Sequence, residues 1–396
     1  MSMGGDGVIT ERPWVEGARH ASENLPFIPR RFQVGGRLQI ADSPAVRTTI
    51  SPRWVLCGGI IANEDATLEH PLPQWLHRMA GNVSENRVEI FSSDEQKQPT
   101  WRQLCLASHK KCNTEFARKI EEPVISPINR LTAGGRVTWS EIDAIFDWLD
   151  KIKSSSALMG AALGGHSLQL NYYETSFPNL RIGAFDRIGI FFRVTDKIIY
   201  LDLLDFLNYS FLSTPSAMLL RIKDLMIVYV SNNFLLSSTF GLAVGTADGG
   251  FTRYVPGTGL FVAGLGARRS RLPAAKIIAQ PMRRQHRKQG LSDVGPALQP
   301  NGDGRVFELC GSRWHRVRST DFSSLVRINS SIGYALAGLE VIEWLILCKE
   351  QDFARYGKSE AFFMKSLPDL HEQKLGLLDT IAELRGGIRP STSDRL

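Results

Sequence analysis

The sequence predicts an α+β protein, with a small N-terminal folded part followed by a larger mixed α/β region that ends in helices. Three observations predict this. Thr138 to Lys153 and Asn329 to Phe353 carry apolar residues at the helical period of 3.6. Ser167 to Tyr173 and Asp224 to Val230 are short runs with the β-branched and aromatic content of strands. The chain has 396 residues, 43% hydrophobic and 22% charged, which gives room for two or three globular domains.

Residues 1–50 are rich in Gly, Pro and Arg without sustained periodicity and read as a disordered leader. Residues 51–130 form the first expected domain, with Pro123 and Pro127 expected to close its last helix. Residues 131–262 read as a mixed α/β domain. Its first helix is expected to start at Ser140 and Glu141, and Ile142, Ile145, Phe146, Leu149 and Ile152 make its apolar stripe. Ile198 to Phe211 is apolar enough for a buried helix or strand, and periodicity does not decide between them. Residues 263–304 are basic, then Gly/Pro-rich, and suggest an exposed linker or arm. Residues 305–396 read as a helical C-terminal region. There Asn329 caps a stripe of Ile332, Ala335, Leu336, Leu339, Ile342 and Ile346, and Leu367 to Leu384 forms the last helix.

No apolar run is long and uncharged enough to span a bilayer, and no secretion signal is visible, so cytoplasmic residence without a membrane partner is the default reading. Five scattered cysteines do not make a disulfide framework, and Cys310 and Cys348 read as buried thiols. The net charge of +7 favours an anionic partner. No acidic residue lies between Asp248 and Asp293, a stretch that holds Arg268, Arg269, Arg271, Arg283, Arg284, Arg287 and Lys288. These are candidate phosphate contacts; the bland reading is a solvated basic loop. Neither a phosphate-binding glycine loop ending in Lys-Ser/Thr nor a nucleophile elbow is present.

Two segments point to a chemistry. One is Leu68-Glu69-His70-Pro71-Leu72-Pro73-Gln74-Trp75-Leu76, and the other is His109-Lys110-Lys111-Cys112-Asn113, running on to Ile120-Glu121-Glu122. Phosphodiester hydrolysis needs an activated water and charge neutralisation at the phosphate. An imidazole titrates near working pH, so His70 suits the general base. Pro71 and Pro73 restrict the chain after it to extended conformations, and Trp75 and Leu76 read as a packing anchor. Asn113 is expected to cap a helix that puts it on the same face as Glu121. Glu69 and Glu121 offer hard oxygen donors suited to Mg²⁺ or Mn²⁺. Individually the bland readings stand: His70 as a core histidine beside Trp75, Asn113 as a cap only, Glu121 and Glu122 as a solvated helix end.

This pattern resembles the HNH, or ββα-metal, nuclease superfamily, in a bacterial branch with an EHxxPxWL segment followed by HxxCN and a helix ending in IE. The resemblance covers roughly residues 52–125. It implies a small ββα-metal, treble-clef-like nuclease domain, DNA as substrate with RNA as the alternative, and a metal-dependent endonuclease activity. It implies His70 as base, Asn113 as the residue that orients it, and Glu69 and Glu121 as ligands of the catalytic metal. Many members hold a structural zinc on two Cys-x-x-Cys pairs; here Trp54 stands at one of those positions. Cys57, Cys105, His109 and Cys112 make the alternative zinc set, and the competing reading is a decayed knuckle held by packing. Two other functions stay open: a nucleic-acid-binding or regulatory protein without catalysis, and a nuclease effector of a defence system whose C-terminal region senses the trigger.

Overall fold

A computed structural model describes residues 65–81, 105–163, 182, 186–195, 201–206, 216–232, 244–245, 251–255, 260–262, 271–272, 275–280, 306–311, 313–356 and 367–386. The chain begins with β1 (Ala66–Glu69), α1 (Gln74–Ala80), β2 (Leu106–His109) and α2 (Lys110–Phe116). β1 and β2 pair antiparallel, with Glu69 opposite Leu106 and Ala66 opposite His109. A π-helical segment, Ala117–Glu121, carries α2 directly into α3 (Glu122–Thr132). β3 (Arg136–Thr138) and the long α4 (Trp139–Leu163) follow.

The larger region contributes β4 (Asp186–Val194), β5 (Leu201–Phe206), β6 (Ser216–Ile222), β7 (Leu225–Asn232), β8 (Val244–Gly245), β9 (Phe251–Val255), β10 (Leu260–Val262) and β11 (Lys276–Gln280). β12 (Phe307–Cys310), β13 (Arg313–Arg316), β14 (Ser319–Asp321), β15 (Arg327–Ile328), α5 (Ser330–Tyr356) and α6 (Leu367–Leu384) complete it. The main sheet has eight strands in the order β13-β12-β11-β4-β7-β6-β5, with β15 also paired to β4. β15 runs parallel to β4, and the other pairings in this sheet are antiparallel. β14 pairs with β3, and β8 to β10 form a separate small sheet. The protein is thus α+β.

Period-2 alternation explains why this sheet is covered on both faces. Along β7, Leu225, Ile227 and Tyr229 point into the core shared with α3 and α4. Met226, Val228 and Val230 point the other way, into the core shared with α5 and α6. Gly333 on α5 allows close approach to the sheet: a Cβ there would lie 3.1 Å from Phe192 and 3.2 Å from Val194. Tyr334 adds a buried polar tie, its hydroxyl donating to Asp202 at 3.0 Å.

α4 is the element that both halves share. Its start is a capping box: Thr138 N–H donates to the Glu141 carboxylate at 2.9 Å, and Glu141 N–H donates to Thr138 Oγ1 at 3.4 Å. Thr138, not Ser140, is therefore the cap. From Trp148 to Ser156 every residue of α4 is buried, charged ones included. Arg187 of β4 is 1% exposed and lies against three aspartates of that helix, Asp143 at 2.7 Å, Asp147 at 2.5 Å and Asp150 at 3.4 Å. Its Nε also donates to Gln280 of β11 at 2.9 Å. This cluster fixes how far α4 stands off the sheet and how it is rotated.

Several sequence expectations are corrected. Pro123 and Pro127 do not close a helix; both lie in α3. Pro123 has no N–H to give the Lys119 carbonyl, and the chain answers with a wider turn in which Glu122 N–H reaches the Ala117 carbonyl. The basic segment 263–304 is not wholly an arm, because Ile277, Ile278 and Ala279 are buried and β11 pairs with both β4 and β12. Residue 130 is not a break in the core, since Leu72, Leu76 and Val124 share one cluster with Phe191, Leu220 and Tyr229. Ile198 to Phe211 contains a strand, β5. Asn329 does cap α5, its Oδ1 accepting from Ile332 N–H at 3.3 Å. The expected leader, the strand over Ser167 to Tyr173 and the tail after Gly386 lie outside the described residues. No described helix is long and apolar enough to cross a membrane.

Replacing Arg187 by Leu leaves three aspartates of α4 around an uncharged side chain. The expected loss is about 3–5 kcal/mol of unfolding free energy in urea. A loss under about 1 kcal/mol would show that the cluster does not hold α4 in place.

Candidate functional site

β1 ends at Glu69, and His70 is the first residue beyond it. Pro73 is extended (φ −68°, ψ 150°) and starts α1, whose Leu76 is fully buried. Trp75 packs on Trp148 of α4 with ring centroids 5.5 Å apart. The anchored helix thereby fixes the exit of the chain from His70. The His70 ring is partly exposed, its Nε2 lying 3.5 Å from Gln74 Nε2.

β2 runs into α2 with His109 at the N-cap position and no side-chain cap bond. Asn113 is therefore inside α2 and not its cap. Its Nδ2 donates to the Leu68 carbonyl at 3.1 Å, which ties the helix to the strand two residues before His70.

The centre of the site is Lys151 of α4, a residue the sequence reading passed over. Its ammonium is fully buried and forms ion pairs with Glu69 Oε1 and, at 2.8 Å, with Glu121 Oε1. It also donates to the backbone carbonyl of His70 at 2.9 Å. So Glu69, the π-helical end at Glu121 and the backbone of His70 meet at one cation. Glu69 and His70, adjacent in an extended segment, cannot both aim their side chains here; His70 contributes its carbonyl and keeps its ring outside.

The electrostatics follow from burial. Desolvation is the largest influence on Glu69 and pushes its carboxyl above the ordinary value; Glu121 adds to this, and Lys151 pulls it back only in part. Desolvation works against the Lys151 ammonium, yet the charges of Glu69 and Glu121 outweigh it and hold its pKa above that of an ordinary lysine. The trio thus carries net charge −1 when both carboxylates are ionised, in a site closed to water on the Lys151 side.

The other sequence candidates fall in three groups. His109 and Cys112 are together, Sγ 3.8 Å from Nδ1, and His109 Nε2 faces Asp65 at 3.4 Å. Cys105 is buried just before β2, and burial pushes its thiol pKa up; Cys57 lies outside the described residues. Among the described residues no group of three or more His, Cys, Asp or Glu is placed to hold a metal ion. Arg271 is bound within the fold: its guanidinium donates to Glu343 of α5 at 2.9 and 3.1 Å, and its N–H donates to Glu340. The acidic pair on α5 holds it while its side chain stays exposed. Arg268, Arg269, Arg283, Arg284, Arg287 and Lys288 lie outside the described residues. Cys310, expected to be buried, is exposed at the end of β12.

No family model, curated protein or solved structure matches the chain.

Lys151→Met removes the partner of two carboxylates that stay out of water. The expected cost is about 3–5 kcal/mol near neutral pH. Glu69 already has a folded-state pKa above its unfolded value, and losing Lys151 raises it further. Its contribution is then favourable below the unfolded pKa of about 4.3 and is lost as pH rises through the folded one. Urea unfolding should therefore show a deficit, relative to the parent, that grows as pH rises above about 4; a deficit independent of pH contradicts the assignment.

Proposed function

We propose that the protein is a metal-dependent endonuclease that hydrolyses phosphodiester bonds in DNA, with a nuclease unit of the HNH, or ββα-metal, type over β1, β2 and α2. One observation carries this reading: an antiparallel strand pair followed at once by a helix brings Glu69, His70, Asn113 and Glu121 to one end of the pair. In it, the half-exposed His70 ring takes the proton from the attacking water. Asn113 acts as a positioning residue, because its bond to the Leu68 carbonyl fixes the strand that presents His70.

Two carboxylates and the His70 carbonyl are hard oxygen donors, the kind that suits Mg²⁺ or Mn²⁺. Glu69 and Glu121 would hold such an ion, which when bound supplies charge neutralisation at the phosphate and help for the leaving oxygen. Lys151 holds the two carboxylates together and supplies a fixed positive charge in the same place.

That lysine also favours a second reading, binding of nucleic acid without cleavage. An ammonium among the oxygen donors already meets much of the demand for a cation, so the carboxylates are stable as a purely structural cluster. The two readings separate in one assay. Under the nuclease reading, plasmid DNA is nicked with Mg²⁺ or Mn²⁺, and His70→Ala slows nicking by at least about 100-fold. The ring is outside the buried trio, so the urea midpoint should barely move. Retained DNA binding with no cleavage by the parent under either metal would favour the second reading, and equal rates for parent and variant would remove His70 as the base.

A further inference from the structure

At the far end of α3 from Glu121 lies a cavity of about 520 Å³, within the size range of small-ligand sites. Its walls include Gly134, Arg193, Lys223, Asp224, Ser323 and Arg327. Three cations face one carboxylate. Asp224 receives both oxygens' worth of contact from Arg193 Nη1, at 2.7 Å each, and a further bond from Arg327 Nη2 at 2.9 Å. Arg193 Nη2 donates to the Leu131 and Thr132 carbonyls, at 3.1 and 2.6 Å, which cancels the negative end of the α3 dipole. Asp224 therefore braces two guanidiniums in fixed positions while the cavity keeps a surplus of two positive charges.

Lys223 supplies the second argument. It sits at the tip of the β6–β7 hairpin with φ +57°, the one described residue other than glycine in the left-handed region. Gly or Asn is the ordinary choice at such a turn position, and a lysine there is held at a conformational cost. The Arg221 side chain donates to its carbonyl at 2.8 Å and supports that conformation. The Lys223 side chain is exposed, and it has no carboxylate partner among the described residues. Gly134, at φ +80°, also lines the cavity, beside the Arg193 guanidinium.

We propose that this cavity binds a phosphate group of a nucleotide, with Lys223 and the outer face of Arg327 as donors and Arg193 as a fixed charge behind them. The phosphate belongs either to a free nucleotide or to one residue of a DNA strand. The eleven residues of α3 place the cavity about 16 Å along the helix axis from Glu121, so it is separate from the Lys151 cluster.

Binding is read without turnover, so the outcome is independent of whether the chain cleaves DNA. Full-length protein is titrated with inorganic phosphate, with adenosine monophosphate and with a fluorescein-labelled DNA duplex, as parent, Lys223→Gly and Arg327→Gln. Lys223→Gly suits the left-handed turn and should unfold at the parent's urea midpoint or above it, which excludes misfolding as a cause. The expected result is binding of at least one probe by the parent and a roughly tenfold loss in Lys223→Gly. Binding of the monophosphate more tightly than inorganic phosphate marks a free nucleotide, and equal binding of the two overturns the assignment to a nucleotide. Binding of the duplex alone marks a polymer, with the salt dependence of log K falling by about one in the variant. No binding of any probe by the parent, or unchanged binding of all of them by both variants, overturns the proposal.

Discussion

The fully buried ammonium of Lys151 is the constraint on which the rest of the site depends. Around it meet Glu69 at the end of β1 with the backbone of the adjoining His70, and Glu121 in the π-helical turn before α3, two stretches of chain far apart in sequence. Removing a lysine from water is costly, and here two carboxylates and a carbonyl offset it. The arrangement is specific because few alternative packings satisfy both the lysine and the two acids. Lys151 follows Asp150 directly on α4, the helix whose Asp143, Asp147 and Asp150 hold Arg187 of the sheet. A single helix therefore carries two charge clusters, one joined to the strand–helix unit and the other to the main sheet. The position of His70 is thereby referred to the core of the whole molecule and not only to its own short strand pair.

Much of this was readable in the sequence where a single physical demand dominates. The stripe Ile142, Ile145, Phe146, Leu149 and Ile152 marks α4 because one face of that helix meets a core throughout its first turns. The same holds for α5 and its Asn329 cap, and for β7, whose branched residues alternate between two cores. The sequence singles out Glu69, Glu121 and Asn113, and the structure puts the two acids on Lys151 and Asn113 on the Leu68 carbonyl of β1.

What the sequence hid has a common cause, namely burial of residues that read as surface. Asp150, Lys151 and Lys153 look like the solvated side of an amphipathic helix, yet the helix is buried all round from Trp148 to Ser156. The signal available was charge of both signs packed among apolar residues, which suits a helix between two layers. Lys276 to Gln280 sits in a basic stretch, and the arginines around it hide its four buried residues. Pro123 reads as a stop because the sequence does not announce the π-turn that lets the helix continue past its missing N–H, and Pro127 is carried inside α3.

The central claim is that Lys151 and Glu121 are directly coupled and jointly hold the site. The measurement that tests it most directly is a double-mutant cycle on unfolding in urea, with Lys151→Met, Glu121→Gln and the pair. A coupling of about 2 kcal/mol is predicted: Lys151→Met strands the Glu121 charge only where Glu121 is still a carboxylate, while the stranding of Glu69 is common to Lys151→Met and the double change and cancels in the cycle. Additivity within about 0.5 kcal/mol would contradict the account.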